Sequence, residues 1–178
     1  MKNPKLRRPF AVLVFLCILR VSAAGSAADI AVYFSPRGGA TEAIVRELAQ
    51  AKKSVYVEAY SFTSAPIAKA LAEASGRGVK VRVILDKSNL TSRYGAADFL
   101  SHHGITPLID SAYRIAHNKV MVIDESVVIT GSFNFTKAAE YSNAENLLVI
   151  RDRELAQKYL DNWQKHADHS APYEGRAK

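Results

Sequence analysis

The stretch 117–134, HNKVMVIDESVVITGSFN, decides how the rest of the chain is read. Two runs rich in β-branched residues, KVMVID and VVITGSF, flank the polar triplet Asp124-Glu125-Ser126, the pattern of two strands joined by a tight turn. Side chains on a strand alternate between faces. His117 and Lys119 therefore share a face with Met121 and Ile123, and Asp124, seven positions from His117, falls on the other. Ser132 and Asn134 also share a face, with Phe133 and Phe135 turned away, and Gly131 leaves the backbone open to close approach by a ligand. One end of the hairpin thus collects a titratable imidazole, a cation and two neutral donors, the makings of an anion site with a nucleophile or proton carrier. Singly, each residue has an ordinary reading. A strand-end His is solvated, Lys119 is an edge charge, Ser132 and Asn134 are turn residues, and Glu145 is a solvent-facing strand end. The joint spacing is what selects a site.

Outward from the hairpin, strand-like and helix-like runs alternate. IAVYF (30–34) reads as a strand, followed by the loop SPRGGA and a helix over TEAIVRELAQAKK. SVYVEAYSF (54–62) is a strand, Pro66 opens a helix that GRG closes, and VKVRVILD (79–86) is a strand. AADFLSHHG is a helix ended by Gly104, and ITPLID is a short strand. ENLLVI (145–150) leads into a final helix from about Asp152 to His166, with Leu155, Tyr159 and Trp163 on one stripe. Strands separated by helices early and adjacent strands later predict an α/β fold, a mixed β-sheet with helices on both faces.

The first residues are not read as fold. Lys2, Lys5, Arg7 and Arg8 precede an uncharged apolar run from Phe10 to Leu19, and small residues follow from Ser22 to Ala28. That order marks a secretory signal peptide over 1–23, with a single domain over 24–178. An apolar run well short of the ~20 residues that span a bilayer predicts no stable membrane anchor after cleavage and a periplasmic or secreted protein. Cys17, the sole cysteine, would leave with the signal, so neither disulfide nor thiol chemistry is expected. The formal charge of +7 comes from 24 basic and 17 acidic residues, and residues 1–23 hold five of the basic ones, leaving 19 against 17, or +2. Global charge therefore says almost nothing about nucleic acid, and anion binding must come from local placement.

The spacing His117-x-Lys119-x4-Asp124-x6-Gly131-Ser132-x-Asn134 resembles the signature of the phospholipase D superfamily at every fixed position. The likeness extends over most of the region after the leader, including YFSPRGG and SFTSAPIAKAL, and is strongest to small, single-motif, exported bacterial endonucleases of that superfamily. The resemblance implies a phospholipase D-like sandwich and a metal-independent phosphodiesterase. In it His117 attacks phosphorus to form a covalent phosphohistidine, Lys119 and Asn134 bind the non-bridging oxygens with help from Ser132, and Glu145 orients the imidazole. Asp124 belongs to the catalytic motif, but its face and the turn it opens give it a supporting role. The resemblance also implies a nucleic-acid substrate and, because the family uses two copies of the motif and this chain carries one, a homodimer with a shared active site. Arg37, Arg93, Arg114 and Lys137 are candidates for holding flanking phosphates, and the SPRGGA loop for cradling phosphate at a helix N-terminus, although a solvated surface and a plain turn are the simpler readings of each. His102, His103, His166 and His169 lack partners at metal-ligand spacing and the carboxylates are not clustered, so no metal or cofactor is expected. Two other functions compete: hydrolysis of a phospholipid headgroup diester, and nucleic-acid binding without catalysis. A binder would have no need of the nucleophile, and no exposed amphipathic segment offers itself for docking on a lipid surface.

Overall fold

The computed structural model describes residues 28–92 and 95–175. The expected signal peptide and Arg93 lie outside the described residues. Among the described residues, eight strands form a single sheet: β1 (Asp29–Ser35), β2 (Ser54–Ala59), β3 (Lys80–Asp86), β4 (Leu108–Asp110), β5 (Lys119–Ile123), β6 (Val127–Gly131), β7 (Glu145–Arg151) and β8 (Ala171–Pro172). Their order across the sheet is β1-β7-β6-β5-β2-β3-β4-β8, with β2, β3 and β4 parallel and the remaining pairings antiparallel. The parallel strands are linked through helices, and the antiparallel hairpin β5–β6 through the turn expected at 124–126, so the mixed sheet follows from the alternation along the chain. Among the described residues, no helix is long and apolar enough to cross a membrane.

One face of the sheet carries α1 (Ala40–Gln50), α2 (Ala65–Gly76) and α3 (Ala96–His102). Ile44, Leu48, Ile67, Leu71 and Leu100 from these helices pack with Val55, Val57, Leu85, Met121 and Ile123 from the strands, the larger part of the core. The other face is covered by α5 (Arg153–His169), where Ala156 and the stripe of Leu155 and Tyr159 meet Val120, Val122 and Val128. Trp163, the third member of that stripe, is buried and donates its indole N–H to the Val57 carbonyl, while Tyr56 packs edge-on against it and the Arg82 guanidinium lies over it. The odd and even residues of β5 therefore serve opposite cores, which fixes its register: a slip of one residue would exchange Lys119 for a buried valine.

Three details differ from the sequence expectation. A short helix α4 (Lys137–Tyr141) follows the hairpin, capped by the Thr136 side chain, which accepts from the Ala139 amide. The last helix runs on to His169, and β8 then closes the far edge by pairing with β4. Five- and two-residue elements carry too little periodicity to be read from sequence.

Candidate active site

The strands β1, β2, β3 and β6 end, and β5 and β7 begin, at the same end of the sheet. The segment 111–118 enters this end before β5, and His117 stands exposed there at the threshold of the strand. Lys119, two residues on, is turned the same way but is only 7% exposed. Its ammonium lies 3.1 and 3.2 Å from the two ring nitrogens of His117 and donates to the His117 carbonyl at 2.7 Å. Burial pushes the Lys119 ammonium below the ordinary lysine value, and the nearby charge of Glu145 acts against that shift. The shared face read from the alternation is thus a physical contact between nucleophile and cation.

Beyond β6, Ser132 donates to Glu145 Oε2 at 2.6 Å, and Asn143 donates to Glu145 Oε1 at 3.0 Å. The Ser132 and Phe133 amides both donate to the Asn146 carbonyl, which pins the backbone where it leaves the sheet. Phe133 and Phe135 are buried as the alternation required, and Asn134 lies on the more open side with its Oδ1 buried and unpartnered. Glu145 is beside the cation and the serine, as expected of a site residue. Its carboxylate, however, accepts from Ser132 and Asn143 rather than from the imidazole, whose ring nitrogens meet Lys119.

Two expectations are overturned here. Asp124 is not at the catalytic end. It opens the turn at the far end of β5, seven positions or ~23 Å of extended chain from His117. Its carboxylate accepts from the amides of Lys52 (2.9 Å), Lys53 (2.7 Å) and Ser54 (3.0 Å). Asp124 and Glu125 both take positive φ, 51° and 55°, a conformation that costs a non-glycine residue about 1 kcal/mol or more and that these bonds offset. Burial alone would raise the Asp124 carboxyl, but the three amides and the charge of Lys53 hold it below its ordinary value. Gly131 is the second correction. Its φ of 146° and lack of a side chain serve the Asn146 carbonyl, which a Cβ would strike, so the close approach is by the neighbouring strand and not by a ligand.

The SPRGGA loop proves to be a filled cradle. Glu140, buried in α4, accepts from the amides of Gly39 (3.3 Å) and Thr41 (2.8 Å) at the start of α1, so the chain's own carboxylate occupies the place a phosphate would take. Arg37, Arg114 and Lys137 are exposed at the same end of the sheet as His117. The reading of His166 and His169 as partnerless also fails, because Asp110 lies against both.

Three residues at this end of the sheet escaped sequence analysis. Tyr60 places its ring 4.6 Å from the His117 imidazole and 5.3 Å from the Lys119 ammonium, and its amide donates to the Asn118 carbonyl. Asp86, buried at the end of β3, accepts from the Ala116 amide at 2.8 Å and so holds the segment leading to His117. Glu58 accepts from the Asn118 side chain on the opposite face of the sheet, and burial pushes its carboxyl up despite the opposing effects of His166 and Asn118. The aromatic end of SVYVEAY was the available signal for Tyr60. Nothing local marks Asp86 or Glu58.

Residues 44–167 match the family described as cardiolipin synthase, PLD-like domain. The chain belongs to the phospholipase D superfamily. It is 46% identical over 138 residues to a phospholipase D of Rickettsia conorii, an alignment covering 78% of this chain and 69% of that one. Among solved structures it resembles the phospholipase D family member Nuc from Salmonella typhimurium, with a TM-score of 0.80 and 38% identity over 85% of this chain and 100% of Nuc. NucT from Helicobacter pylori is similar at a TM-score of 0.77 and 26% identity, over 83% of this chain and 100% of NucT. The α/β fold with a mixed sheet is that of Nuc, and this superfamily member is a hydrolase of phosphodiester bonds.

Proposed function

We infer that the chain is a metal-independent endonuclease that cleaves DNA, or RNA, with little sequence preference through a covalent phosphohistidine. The observation that carries this reading is the exposed imidazole of His117 packed against the buried ammonium of Lys119, with Ser132 and Glu145 alongside. A phosphodiester entering this end meets a nucleophile and a fixed charge together. Lys119 and Asn134 bind the non-bridging oxygens, where a preorganised cation and amide stabilise the transition state in place of a divalent ion. Asn134 would donate through its side-chain N–H groups. Ser132 assists, and its bond to Glu145 fixes the hydroxyl at the cleft wall. Exposed Arg37, Arg114 and Lys137 supply charge for flanking phosphates, a contact type that reads no sequence. The resemblance to Nuc and NucT supports nucleic acid as substrate.

A P–N bond forms between His117 and phosphorus as the P–O bond to the leaving group breaks, and that oxygen needs a proton. The chain has one copy of the motif, so the donor is His117 of a second copy across a two-fold axis. Water then attacks the phosphohistidine, gives its proton to the same second imidazole, and releases the first. Large apolar side chains crowd the same end of the sheet: Phe34 is 64% exposed, Ile115 50% and Tyr141 51%, a rim suited to a second copy. A heterodimer of one wild-type and one His117→Ala chain is then nearly inactive, whereas independent sites would leave about half the activity. The basic, apolar and small-residue leader supports export to the periplasm or beyond.

The name of the Rickettsia relatives favours a second reading, hydrolysis of a phospholipid headgroup diester by the same residues. Incubation with plasmid DNA and with phosphatidylcholine vesicles, each in excess chelator, separates the two. Nicking of DNA with intact lipid supports the endonuclease, lipid turnover alone supports the phospholipase, and cleavage that vanishes in chelator and returns with magnesium or zinc contradicts the metal-independent chemistry.

A further inference from the structure

The second cluster of chemistry-bearing residues lies at the same end of the sheet as His117 but on the opposite, α5 face. Asp110 ends β4 and is 0% exposed. His166 Nδ1 is 2.6 Å from one of its oxygens, His169 Nε2 is 3.3 Å from the other, and the Ala112 amide donates to the latter at 3.0 Å. The two histidines are three apart on the last turn of α5, which puts both on one side of the helix. One donor atom from each of the three residues lies within 4.8 Å of the others. The Tyr113 ring covers both imidazoles at 5.0 and 5.4 Å.

A fully buried carboxylate is costly unless its charge is compensated. Its side-chain partners are the two imidazoles, one at each oxygen. Two nitrogens and one carboxylate oxygen are a zinc-type donor set, with water as the fourth ligand. Ligands about 2.1 Å from a tetrahedral ion stand about 3.4 Å apart. One ligand atom from each of the three residues already lies within 4.8 Å of the others, so closing on one ion takes shifts of about 1 Å. His169, at 33% side-chain exposure, gives the entry path and room for the water.

We propose that Asp110, His166 and His169 form a divalent-cation site of the zinc type, separate from the phosphodiester cleft. The ion would pin the end of α5 to the end of β4 and, through Tyr113, to the segment 111–118 that delivers His117. Its role is to hold structure, so it supplies none of the chemistry in the cleft and does not rest on the identity of the substrate.

The test is direct binding. The purified chain is stripped with chelator, dialysed, and titrated with zinc calorimetrically at about pH 7.5, where free imidazole is mostly neutral. Wild type, His169→Ala and His117→Ala are compared, with thermal melts in parallel. One zinc per chain is expected in wild type and in His117→Ala, with affinity reduced at least about tenfold in His169→Ala. Zinc should raise the melting temperature of wild type and leave that of His169→Ala nearly unmoved. His169 is at the surface, so its removal does not threaten folding. Absence of stoichiometric binding to wild type would overturn the site. Binding that His169→Ala leaves intact would also overturn it, by assigning the ion to other groups such as the exposed His102 and His103.

Discussion

The two ends of the β5–β6 hairpin carry residues of one motif and do opposite things with them. At the His117 end the polar groups face an opening. The imidazole is exposed, and the ammonium beside it is held just below the surface. At the Asp124 end the polar group is saturated, its carboxylate accepting from three consecutive amides across the gap between α1 and β2. A motif residue can therefore be retained for chemistry or for the backbone, and satisfaction tells which. Groups left reactive lie where a ligand can complete them. A group completed by the chain's own backbone holds the strand that presents the others.

The sharpest way to break this contrast is to remove the nucleophile. His117→Ala should reduce phosphodiester turnover by about 10⁴-fold or more, with an unchanged melting temperature. Appreciable residual cleavage would move the chemistry elsewhere. Lys119→Ala should lose roughly 10²–10³-fold, the scale for removing one preorganised charge contact to the transition state. Its stability should hold or rise, because burial disfavours the ammonium in the folded chain. Glu145→Gln should cost less, about 10-fold, since the amide preserves a bond to Ser132 while removing the charge that supports Lys119. A loss as large as that of His117→Ala would instead require Glu145 to act on the imidazole directly.

The smallest effect on turnover belongs to Asp124→Asn, within about twofold per folded molecule, yet it should cost about 1–3 kcal/mol of stability. Its native carboxyl titrates below the unfolded value of about 3.9. The stabilisation is therefore complete above that value and lost as pH falls through the lower native one, so the gap between wild type and variant should close in acid. Chemical denaturation at about pH 7 and about pH 3 measures it. A constant gap, or a large loss of turnover at unchanged stability, would erase the distinction between the two ends.

Much of this was legible because it is local. Alternation along KVMVID placed His117 and Lys119 on one face and set Asp124 apart, and the strand–helix rhythm foretold a mixed sheet with two covered faces. What could not be read involves partners brought together only by the fold. Glu140 fills the start of α1 across about a hundred residues of sequence, so nothing near SPRGGA shows that its amides are already taken. Gly131 was read as room for a ligand because nothing in its neighbourhood announces the Asn146 carbonyl of β7. Asp110 and the two histidines of α5 are separated by more than fifty positions, and only the end of β4 packing beneath that helix makes them a cluster. Tyr60 stands beside His117 through the pairing of β2 with β5, a register that sequence alternation permits without specifying.

The central claim, that the open end of the hairpin does its chemistry through His117, is tested most directly by trapping the covalent intermediate. A DNA oligonucleotide carrying labelled internal phosphodiesters is mixed with excess protein, quenched in alkali during the first turnover, digested, and mapped by mass spectrometry. A phosphoryl adduct is expected on the peptide containing His117, present in wild type and missing from His117→Ala. Rapid cleavage with no adduct on that peptide, or an adduct on any other residue, would contradict it.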